Sequence, residues 1–407
     1  MLMGNYRKCL WAVTPRSISG AAWEMETLST MAVPPNEQYC SEMHGAEGGR
    51  PRLTWADPTP KLSLADAATK MLPIMVTSRE IRLKSRPVGM PSAENFELAT
   101  VSMPDPAPGE VQVKNLWMTV DPYMRGRMID RASYVPPFQL GEPLQGGAIG
   151  EVVASNDPRL KRSDLVSTML GWREAFNAPA ANLQKLETFG LPPQAFLGVA
   201  GMPGLTAWVG LLKIAALKPG DVVFVSAAAG AVGSVVCQIA KIKGHTVIGS
   251  AGGAEKAAFL REIGVDRVID YKATDDLTAA LLQAAPNGID VYFDNVGGEH
   301  LEAALMAANR FARFALCGMI SQYNVAGMPA GPRNIMFAVG KSLRLEGFIV
   351  SNHFNLLPEF QKDMAGWIRD GRITWRETVE HGIENAPAAF LKLFTGENLG
   401  KMLVKLA

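Results

Sequence analysis

The sequence predicts an α/β fold: a doubly wound, parallel sheet of six strands, joined to a second domain that is rich in β-structure. Two patterns support this prediction. From about residue 200 to residue 350, short apolar runs alternate with segments of helical spacing, which is typical of repeated β-α units. From residue 78 to about residue 190, strand-like runs are instead separated by turns that contain proline and glycine, which favours a β-rich partial barrel.

The same patterns divide the chain into three parts. Residues 1–74 mix tryptophans with proline and glycine pairs and show no sustained period. We interpret them as a disordered extension or as the product of an upstream start site. Residues 199–350 form the predicted doubly wound domain of Rossmann type. Residues 75–198 and 351–407 form the β-rich domain, because the last strand of the chain is expected to return to it.

Each element is predicted from residue type and spacing. In the β-rich domain, strands are predicted at Ile81–Lys84, Phe96–Val101, Glu110–Met118, Gly146–Ala154 and Leu165–Trp172. In the doubly wound sheet, strands are predicted at Val222–Ala227, Thr246–Ser250, Arg267–Asp270, Val291–Asn295, Phe314–Cys317 and Leu343–Val350. The intervening helices are predicted at Val232–Ile242, Ala254–Ile263, Asp275–Ala284 and Glu299–Asn309. A final helix, Leu357–Asp370, precedes the C-terminal strand Gly400–Leu406.

The composition argues against several classes of function. The 40 basic and 39 acidic residues leave a net charge of +1, so we expect no nucleic-acid surface. No apolar run approaches the roughly 20 residues that cross a bilayer, so we expect no membrane span. Four scattered cysteines predict reduced thiols in a cytoplasmic protein. Neither these cysteines nor the five isolated histidines have the spacing of a metal site, so we expect no metal.

The most informative stretch runs from Val222 to Lys241. A β-branched run ends at small residues, two glycines follow, and apolar residues then recur at helical spacing. A strand, a glycine turn and a helix N-terminus in this order present backbone N–H groups to a dinucleotide pyrophosphate. Ala228 replaces the first glycine of the G-x-G-x-x-G fingerprint, so this motif alone also fits a glycine turn without a ligand. The predicted contacts are Ala229, Gly230, Ala231, Val232 and Gly233.

The end of the second strand of the sheet indicates which nucleotide binds. An acidic residue about 20 positions after the glycines holds the adenosine ribose of NAD, but small residues stand at this strand end. Ser250 offers a hydroxyl donor and Lys256 a positive charge, and together they suit the 2′-phosphate of NADP(H). Glu255 is expected to point away from the site. We therefore predict NADPH/NADP+ as the cofactor.

Several ordered strings give the chain from about residue 75 to residue 407 a family resemblance. The matching strings are Thr119–Arg125, Gly201–Ala207, Ala227–Gly233, Phe293–Gly298, Cys317–Asn324, Glu346–Val350 and Gly396–Lys401. The chain resembles the zinc-independent medium-chain dehydrogenases/reductases, in the branch of prostaglandin and alkenal double-bond reductases that includes leukotriene 12-hydroxydehydrogenase and curcumin reductases. The resemblance implies a GroES-like catalytic domain beside the Rossmann domain, and a homodimer.

The resemblance also implies further cofactor contacts. Lys256 and Tyr271 match positions that hold the 2′-phosphate, and Asn295 lies near the pyrophosphate and ribose. Asn398 would bond the nicotinamide carboxamide, although either asparagine alone could instead form a turn beside glycine. The nicotinamide side would be lined by Cys317, Gly318, Tyr323, Phe348, Ile349 and Val350. These positions fit one site, because open α/β sheets bind ligands beyond the carboxyl ends of their strands.

The expected reaction is hydride transfer from NADPH to the β-carbon of an α,β-unsaturated aldehyde or ketone. Negative charge then develops on the carbonyl oxygen, and a hydrogen-bond donor must stabilise it. The candidate donors are Tyr323 and the nicotinamide ribose hydroxyl. Tyr323 matches the tyrosine assigned this role, and an ordinary phenol pKa of about 10 keeps it protonated at neutral pH. The α-carbon could take its proton from Tyr323 or from water, and Tyr323 could instead only pack over the cofactor. Tyr123 matches a residue near the substrate mouth, although a lone tyrosine there could also be a core anchor. Arg125 could shape the same site or cap local backbone, and we interpret it as structural.

Three other functions stay open at this point. A quinone reductase would use the same cofactor site. Oxidation of a secondary alcohol is less suited to a site without zinc, because nothing there would polarise an alkoxide. A non-catalytic NADPH-binding protein with redox-dependent partner binding would not need Tyr323.

Overall fold

The computed structural model describes residues 76–407 of the chain. The extension predicted at residues 1–74 therefore lies outside the described residues. Within the described part, no helix combines the length and the apolar character that a membrane crossing requires.

The secondary structure comprises fifteen strands and nine α-helices in the described part. The strands that precede the α/β sheet are β1 (Val76–Leu83), β2 (Phe96–Met103), β3 (Glu110–Thr119), β4 (Ala148–Ser155), β5 (Leu165–Thr168), β6 (Ala175–Pro179) and β7 (Gln184–Lys185). The strands of the α/β sheet are β8 (Val222–Val225), β9 (Thr246–Ala251), β10 (Arg267–Asp270), β11 (Ile289–Asp294), β12 (Ala308–Leu316) and β13 (Arg344–Gly347). The last two strands are β14 (Glu377–His381) and β15 (Lys401–Lys405).

The helices follow the same chain order. They are α1 (Met124–Arg127), α2 (Met202–Val209), α3 (Gly233–Ile242), α4 (Ala254–Glu262), α5 (Leu277–Ala284), α6 (Gly298–Ala307), α7 (Phe337–Gly340), α8 (Leu357–Arg369) and α9 (Ala386–Thr395). A π-helical turn, Gly210–Ile214, continues directly from α2.

The predicted doubly wound sheet is confirmed. Its six strands lie in the order β10-β9-β8-β11-β12-β13, and every neighbouring pair is parallel. The chain starts in the middle of the sheet, moves out to one edge and then returns to build the other half. The order therefore reverses at β8, and ligands bind at such a reversal, beyond the carboxyl ends of the strands.

The β-rich part is a second sheet of seven strands in the order β14-β15-β3-β4-β5-β7, and β6 also pairs with β3. The predicted return of the C-terminal strand is seen here, because β15 pairs antiparallel with β3. A separate two-stranded ribbon is formed by β1 and β2. The end of the chain is therefore built into the same sheet as residues more than 280 positions earlier, such as Thr119, the partner of Leu403.

Element boundaries differ from prediction where pairing between strands overrides local spacing. The helix predicted to reach Asn309 ends at Ala307, because Ala308 already pairs with Ile289 as the first residue of β12. The predicted strand Leu343–Val350 shortens to β13, and a 3-10 turn follows from Val350. Strand β14 and helix α9 were not predicted. Helix α9 ends at Thr395 and is capped by Gly396 in a left-handed conformation, a common helix stop.

Aromatic side chains pack at the carboxyl end of the sheet. The ring of Phe348, just after β13, lies edge-on to that of Phe293 in β11, with centroids 6.3 Å apart. Both rings press on Gly210, where a Cβ would come within 2.5 Å of Phe293 and 2.6 Å of Phe348. Only glycine fits at this place, and the contact holds Phe348 at the carboxyl edge of the sheet.

The core of the β-rich part depends on Phe390 in α9. This buried ring lies 6.3 Å from Phe96, 6.1 Å from Trp172 and 5.1 Å from Phe394, measured between centroids.

We expect Phe390→Ala to lower the free energy of unfolding by about 3–5 kcal/mol, because it leaves a cavity among rings. Urea denaturation followed by tryptophan fluorescence measures this. Phe189→Ala is the control, since Phe189 is 87% exposed, and it should change the value by less than about 0.5 kcal/mol. Equal losses in both variants would contradict the packing argument.

Candidate functional site

The turn between β8 and α3 is formed by a close approach of backbone to backbone. A Cβ on Gly233 would lie 2.4 Å from the carbonyl oxygen of Ala227, so this position accepts only glycine. Ala227 itself has a φ of 46°, which is uncommon for alanine and marks a tight turn. Within residues 76–407, the N–H groups of Ala231, Val232 and Gly233 have no protein acceptor. They stand at the N-terminus of α3, where anions bind.

A loop from the β-rich part, residues 396–401, lies against this turn. The N–H of Gly400 donates to the carbonyl of Ala229 over 2.9 Å. Gly400 has a φ of 68°, and a Cβ there would lie 1.9 Å from the carbonyl oxygen of Arg376. The side-chain amide of Asn398 donates to the carbonyl of Gly400 over 2.9 Å. Asn398 therefore shapes the loop, and its amide oxygen accepts no hydrogen bond from the described residues.

Lys256 and Tyr271 converge beside the same loop. The Lys256 ammonium donates to the carbonyl of Gly396 over 2.8 Å. A Cβ built on Gly396 would lie 3.7 Å from the Tyr271 hydroxyl and 3.8 Å from the Lys256 ammonium, so the two polar ends share one corner. Burial first, and then the charge of Lys272, lower the pKa of Lys256. A dianion in this corner would offset both effects.

Ser250 does not share that corner directly. It is fully buried in β9, and its hydroxyl lies 2.7 Å from the Nε2 atom of His300 in α6. The His300 ring lies edge-on to the Tyr271 ring, with centroids 5.4 Å apart. Burial lowers the pKa of His300 to about 4, so the imidazole is neutral at physiological pH. Sequence reasoning missed His300, since one histidine after a glycine pair gives no signal of its partner fifty residues away.

Asp294 organises the turn that follows β11. One oxygen of its buried carboxylate accepts hydrogen bonds from the Tyr292 hydroxyl and from the N–H groups of Val296 and Gly297, over 2.8 to 2.9 Å. Asn295 is held by two bonds to Ser226, its side-chain amide donating to the Ser226 carbonyl over 2.7 Å. Asn295 thus joins the carboxyl ends of β8 and β11, where the resemblance places the pyrophosphate.

The backbone of Asp294 also positions Cys317 and Gly318, because both N–H groups donate to its carbonyl, over 2.9 and 3.0 Å. Burial first, and then the carboxylate of Asp294, raise the pKa of the Cys317 thiol to about 12. Cys317 is therefore a neutral thiol at physiological pH and no nucleophile. Phe348 is buried, and Ile349 and Val350 are half-buried beside it at the end of β13.

Tyr323 lies over this backbone. Its hydroxyl oxygen accepts from the N–H of Met319 over 3.3 Å, and a Cβ on Gly318 would lie 3.1 Å from that oxygen. Burial is the main reason that the pKa of Tyr323 rises to about 12. Because the Met319 bond uses the oxygen as acceptor, the phenol proton is available to a second partner.

Tyr123 reaches the site from the other part of the chain. It precedes α1, and the turn before it is tied to β15 by the buried ammonium of Lys401, which bonds Asp121 over 2.9 Å. Burial first, and then Asp121, raise the pKa of Tyr123. Tyr134 links Tyr123 and Tyr323, because it lies close enough to both tyrosines to raise their pKa values. Cys317 in turn helps to raise the pKa of Tyr134. Sequence reasoning missed Tyr134, because it stands in a loop without any motif.

Arg125 bonds to two loops. Its buried guanidinium donates to the side-chain oxygen of Asn324 over 2.9 Å and to the carbonyl of Gly89 over 2.8 Å. It thereby ties the helix after Tyr123 to the loop that carries Tyr323.

The residues described fit a phosphorylated nicotinamide dinucleotide. The turn supplies N–H groups for a pyrophosphate, the Lys256 and Tyr271 corner supplies donors for a further phosphate, and neutral groups surround the far end. Among residues 76–407, no group of histidine, cysteine or acidic side chains is arranged to hold a metal ion.

Two family models match the chain. Residues 79–186 match the N-terminal domain of oxidoreductases, and residues 231–368 match a domain described as zinc-binding dehydrogenase.

The relatives each cover about four fifths of the chain. A putative NADP-dependent oxidoreductase of Bacillus subtilis is 46% identical, over 81% of this chain and 98% of that protein. An NADPH-dependent curcumin reductase of Escherichia coli is 40% identical over 80% and 96% of the two chains, and an NADP-dependent 2-alkenal reductase of Nicotiana tabacum is 40% identical over 81% and 97%. The crystal structure of CurA from Vibrio vulnificus in complex with NADPH is 42% identical, with a TM-score of 0.76, over 81% and 99%. With the fold, the glycine turn and these matches together, the chain belongs to the medium-chain dehydrogenase/reductase family, in its zinc-independent branch.

Proposed function

We propose that this protein reduces the C=C bond of α,β-unsaturated aldehydes and ketones with NADPH. One observation carries the proposal: a phenol that stays protonated, Tyr323, lies beside the Gly318 backbone at the carboxyl edge of the nucleotide-binding sheet. The curcumin and 2-alkenal reductases among the relatives support the same class of substrate.

The residues of the chain would divide the work as follows. The N–H groups of Ala231, Val232 and Gly233 bind the pyrophosphate, and Lys256 and Tyr271 bind the 2′-phosphate. When bound, the reduced nicotinamide supplies a hydride to the β-carbon of the substrate. The Tyr323 proton then meets the charge that develops on the carbonyl oxygen.

The remaining groups keep the site neutral and enclosed. A proton must reach the α-carbon to complete the reduction, from the Tyr323 hydroxyl or from water. Tyr123 and Tyr134 border the substrate on the side of the β-rich part. Cys317 stays an unreactive thiol, which protects it from addition to an electrophilic substrate.

Turnover of two electrophiles separates the proposal from its nearest alternative. We expect an enone to be reduced faster than a benzoquinone at equal concentration. The reason is that the Tyr323 phenol is placed to stabilise an enolate oxygen, and this assists the reduction of a quinone ring less. Stopped-flow decay of NADPH absorbance at equal substrate concentrations measures both rates. If the quinone reacts at least about 100-fold faster, the protein is a quinone reductase.

Tyr323→Phe tests the donor itself. We expect kcat to fall about 100-fold or more, because one oxyanion donor contributes a factor of about 10² to 10³. The NADPH dissociation constant should stay within about threefold. Tyr123→Phe is the matched control and should lower kcat much less. Full activity in Tyr323→Phe would remove this phenol from the reaction and favour a non-catalytic NADPH-binding protein.

The wild-type pH profile follows from the same phenol. The donor is the protonated form, and burial raises its pKa to about 12. The contribution of Tyr323 to kcat is therefore constant from pH 6 to pH 10 and is lost only as the pH approaches the pKa of the phenol.

Lys256→Ala tests the choice of cofactor. A charge-assisted hydrogen bond contributes about 1.5–3 kcal/mol, so NADPH should bind about 10- to 150-fold more weakly while NADH binding is unchanged. Lys213→Ala is the control, because Lys213 bonds Glu359 and has no part in the site. Titration of the nicotinamide fluorescence gives both constants. Equal losses for NADPH and NADH would contradict a 2′-phosphate at Lys256.

We further propose that the protein forms a homodimer in the cytoplasm, through the edge of the α/β sheet. Strand β13 is the last strand on its side, so its outer backbone groups can pair with a second copy. Apolar side chains stand exposed beside it, with Met336 73% and Val339 85% exposed, and Phe311 is also exposed. Two copies related by a twofold axis would pair their β13 edges and cover these apolar side chains.

Sedimentation equilibrium tests this assembly. The wild-type chain should run as a dimer, and Met336→Asp with Val339→Asp should run as a monomer, because two charges in an apolar contact repel. Phe189→Asp adds a charge at an equally exposed position elsewhere and should leave the dimer intact. A monomeric wild type would refute the proposal.

A further inference from the structure

The proposed function does not use the Ser250–His300 pair, which lies near the cofactor corner. Both side chains are buried, Ser250 fully and His300 with 6% exposed. The hydroxyl and the Nε2 atom lie 2.7 Å apart. Because the imidazole is neutral, one group donates and the other accepts, whichever tautomer is present. The Ser250 hydroxyl is thus committed inside the protein, and no part of Ser250 is exposed to a ligand.

The second contact of His300 points toward the cofactor. Its ring lies edge-on to the Tyr271 ring, at 5.4 Å between centroids and 76° between planes. Tyr271 stands just beyond β10, and 37% of it is exposed. One side of the Tyr271 ring therefore packs against His300, while its hydroxyl lies at the corner that it shares with Lys256.

From this arrangement we infer that His300 is a positioning residue for the 2′-phosphate: held by Ser250, it fixes the ring of Tyr271 in the orientation that binds the phosphate. The inference rests on the NADPH-dependent function proposed above and deepens it. It also changes the role of Ser250, which acts on the cofactor only through His300. Selectivity for NADPH over NADH thus depends on a residue that touches neither cofactor.

The physical reason is conformational freedom. A half-exposed tyrosine without support samples several rotamers, and binding must then restrict it at a cost in entropy. The His300 edge removes that freedom before the ligand arrives. NADH has no 2′-phosphate and makes no use of the Tyr271 hydroxyl, so it should not sense the change.

The test compares NADPH and NADH binding by the full chain, with dissociation constants from titration of nicotinamide fluorescence. His300→Ala should weaken NADPH binding about threefold to tenfold, the range of one aromatic contact, and leave NADH within twofold. Adding His300→Ala to Tyr271→Ala should weaken NADPH no further than Tyr271→Ala alone, because His300 acts through that ring. An unchanged ratio of the two constants in His300→Ala, or additive losses in the double variant, would overturn the inference.

A paired substitution provides the rescue. Ser250→Ala combined with His300→Phe keeps a ring under Tyr271 and removes both partners of the buried hydrogen bond, which is nearly neutral for stability. This variant should bind NADPH within about twofold of wild type. His300→Leu keeps the volume but not the ring, and it should bind NADPH more weakly than the paired variant. Equal NADPH affinity in these two variants would also overturn the inference, and this comparison decides the matter if His300→Ala does not fold.

The cofactor preference of the wild type distinguishes a failure of the proposed cofactor site from a failure of the positioning role alone. If it shows no preference for NADPH over NADH, the proposed cofactor site fails, and the positioning role fails with it. If wild type prefers NADPH and His300→Ala keeps the full preference, only the positioning role fails.

Discussion

The close approach of Gly233 to the Ala227 carbonyl is the constraint on which the site depends. The distance leaves no room for a side chain, so α3 starts directly against the end of β8, with its first N–H groups facing outward. Every other group of the site is arranged around this point. The Asp294 turn is joined to β8 through Asn295 and Ser226, and the loop of residues 396–401 lies across Ala229. A shift of this turn would therefore move both the Asp294 turn and the loop of residues 396–401.

The site relies on burial to keep its groups neutral. Burial raises the pKa values of Tyr323 and Cys317 to about 12 and lowers that of His300 to about 4. In each case the low-dielectric surroundings disfavour the charged form. The carbonyl group of the proposed substrate would therefore meet hydrogen-bond donors that carry no fixed charge. Such surroundings suit a reaction whose charge appears only in the transition state. Lys256 brings positive charge to the corner beside Gly396, where the proposed function places a phosphate.

Much of the fold could be predicted from the sequence, because its signals are local. The glycine turn, the alternation of strands and helices and the strand character of the last residues all appear as residue patterns within short windows. Helix ends were less predictable: the helix expected to include Asn309 stops at Ala307, since Ala308 pairs with Ile289, which is distant in sequence. The same reason explains His300 and Tyr134. His300 contacts Ser250, and Tyr134 lies near enough to Tyr323 to affect its pKa. No spacing in the chain encodes such neighbours.

The junction between the last loop and the nucleotide turn has a consequence for protein engineering. The bond from Gly400 to Ala229 joins main chain to main chain, so it depends on the path of the backbone and not on side-chain identity. Only the glycine itself is fixed, by its positive φ and by the nearness of Arg376. Exchange of this loop between homologous enzymes would therefore have to retain Gly400, whereas this one bond places no demand on the neighbouring side chains.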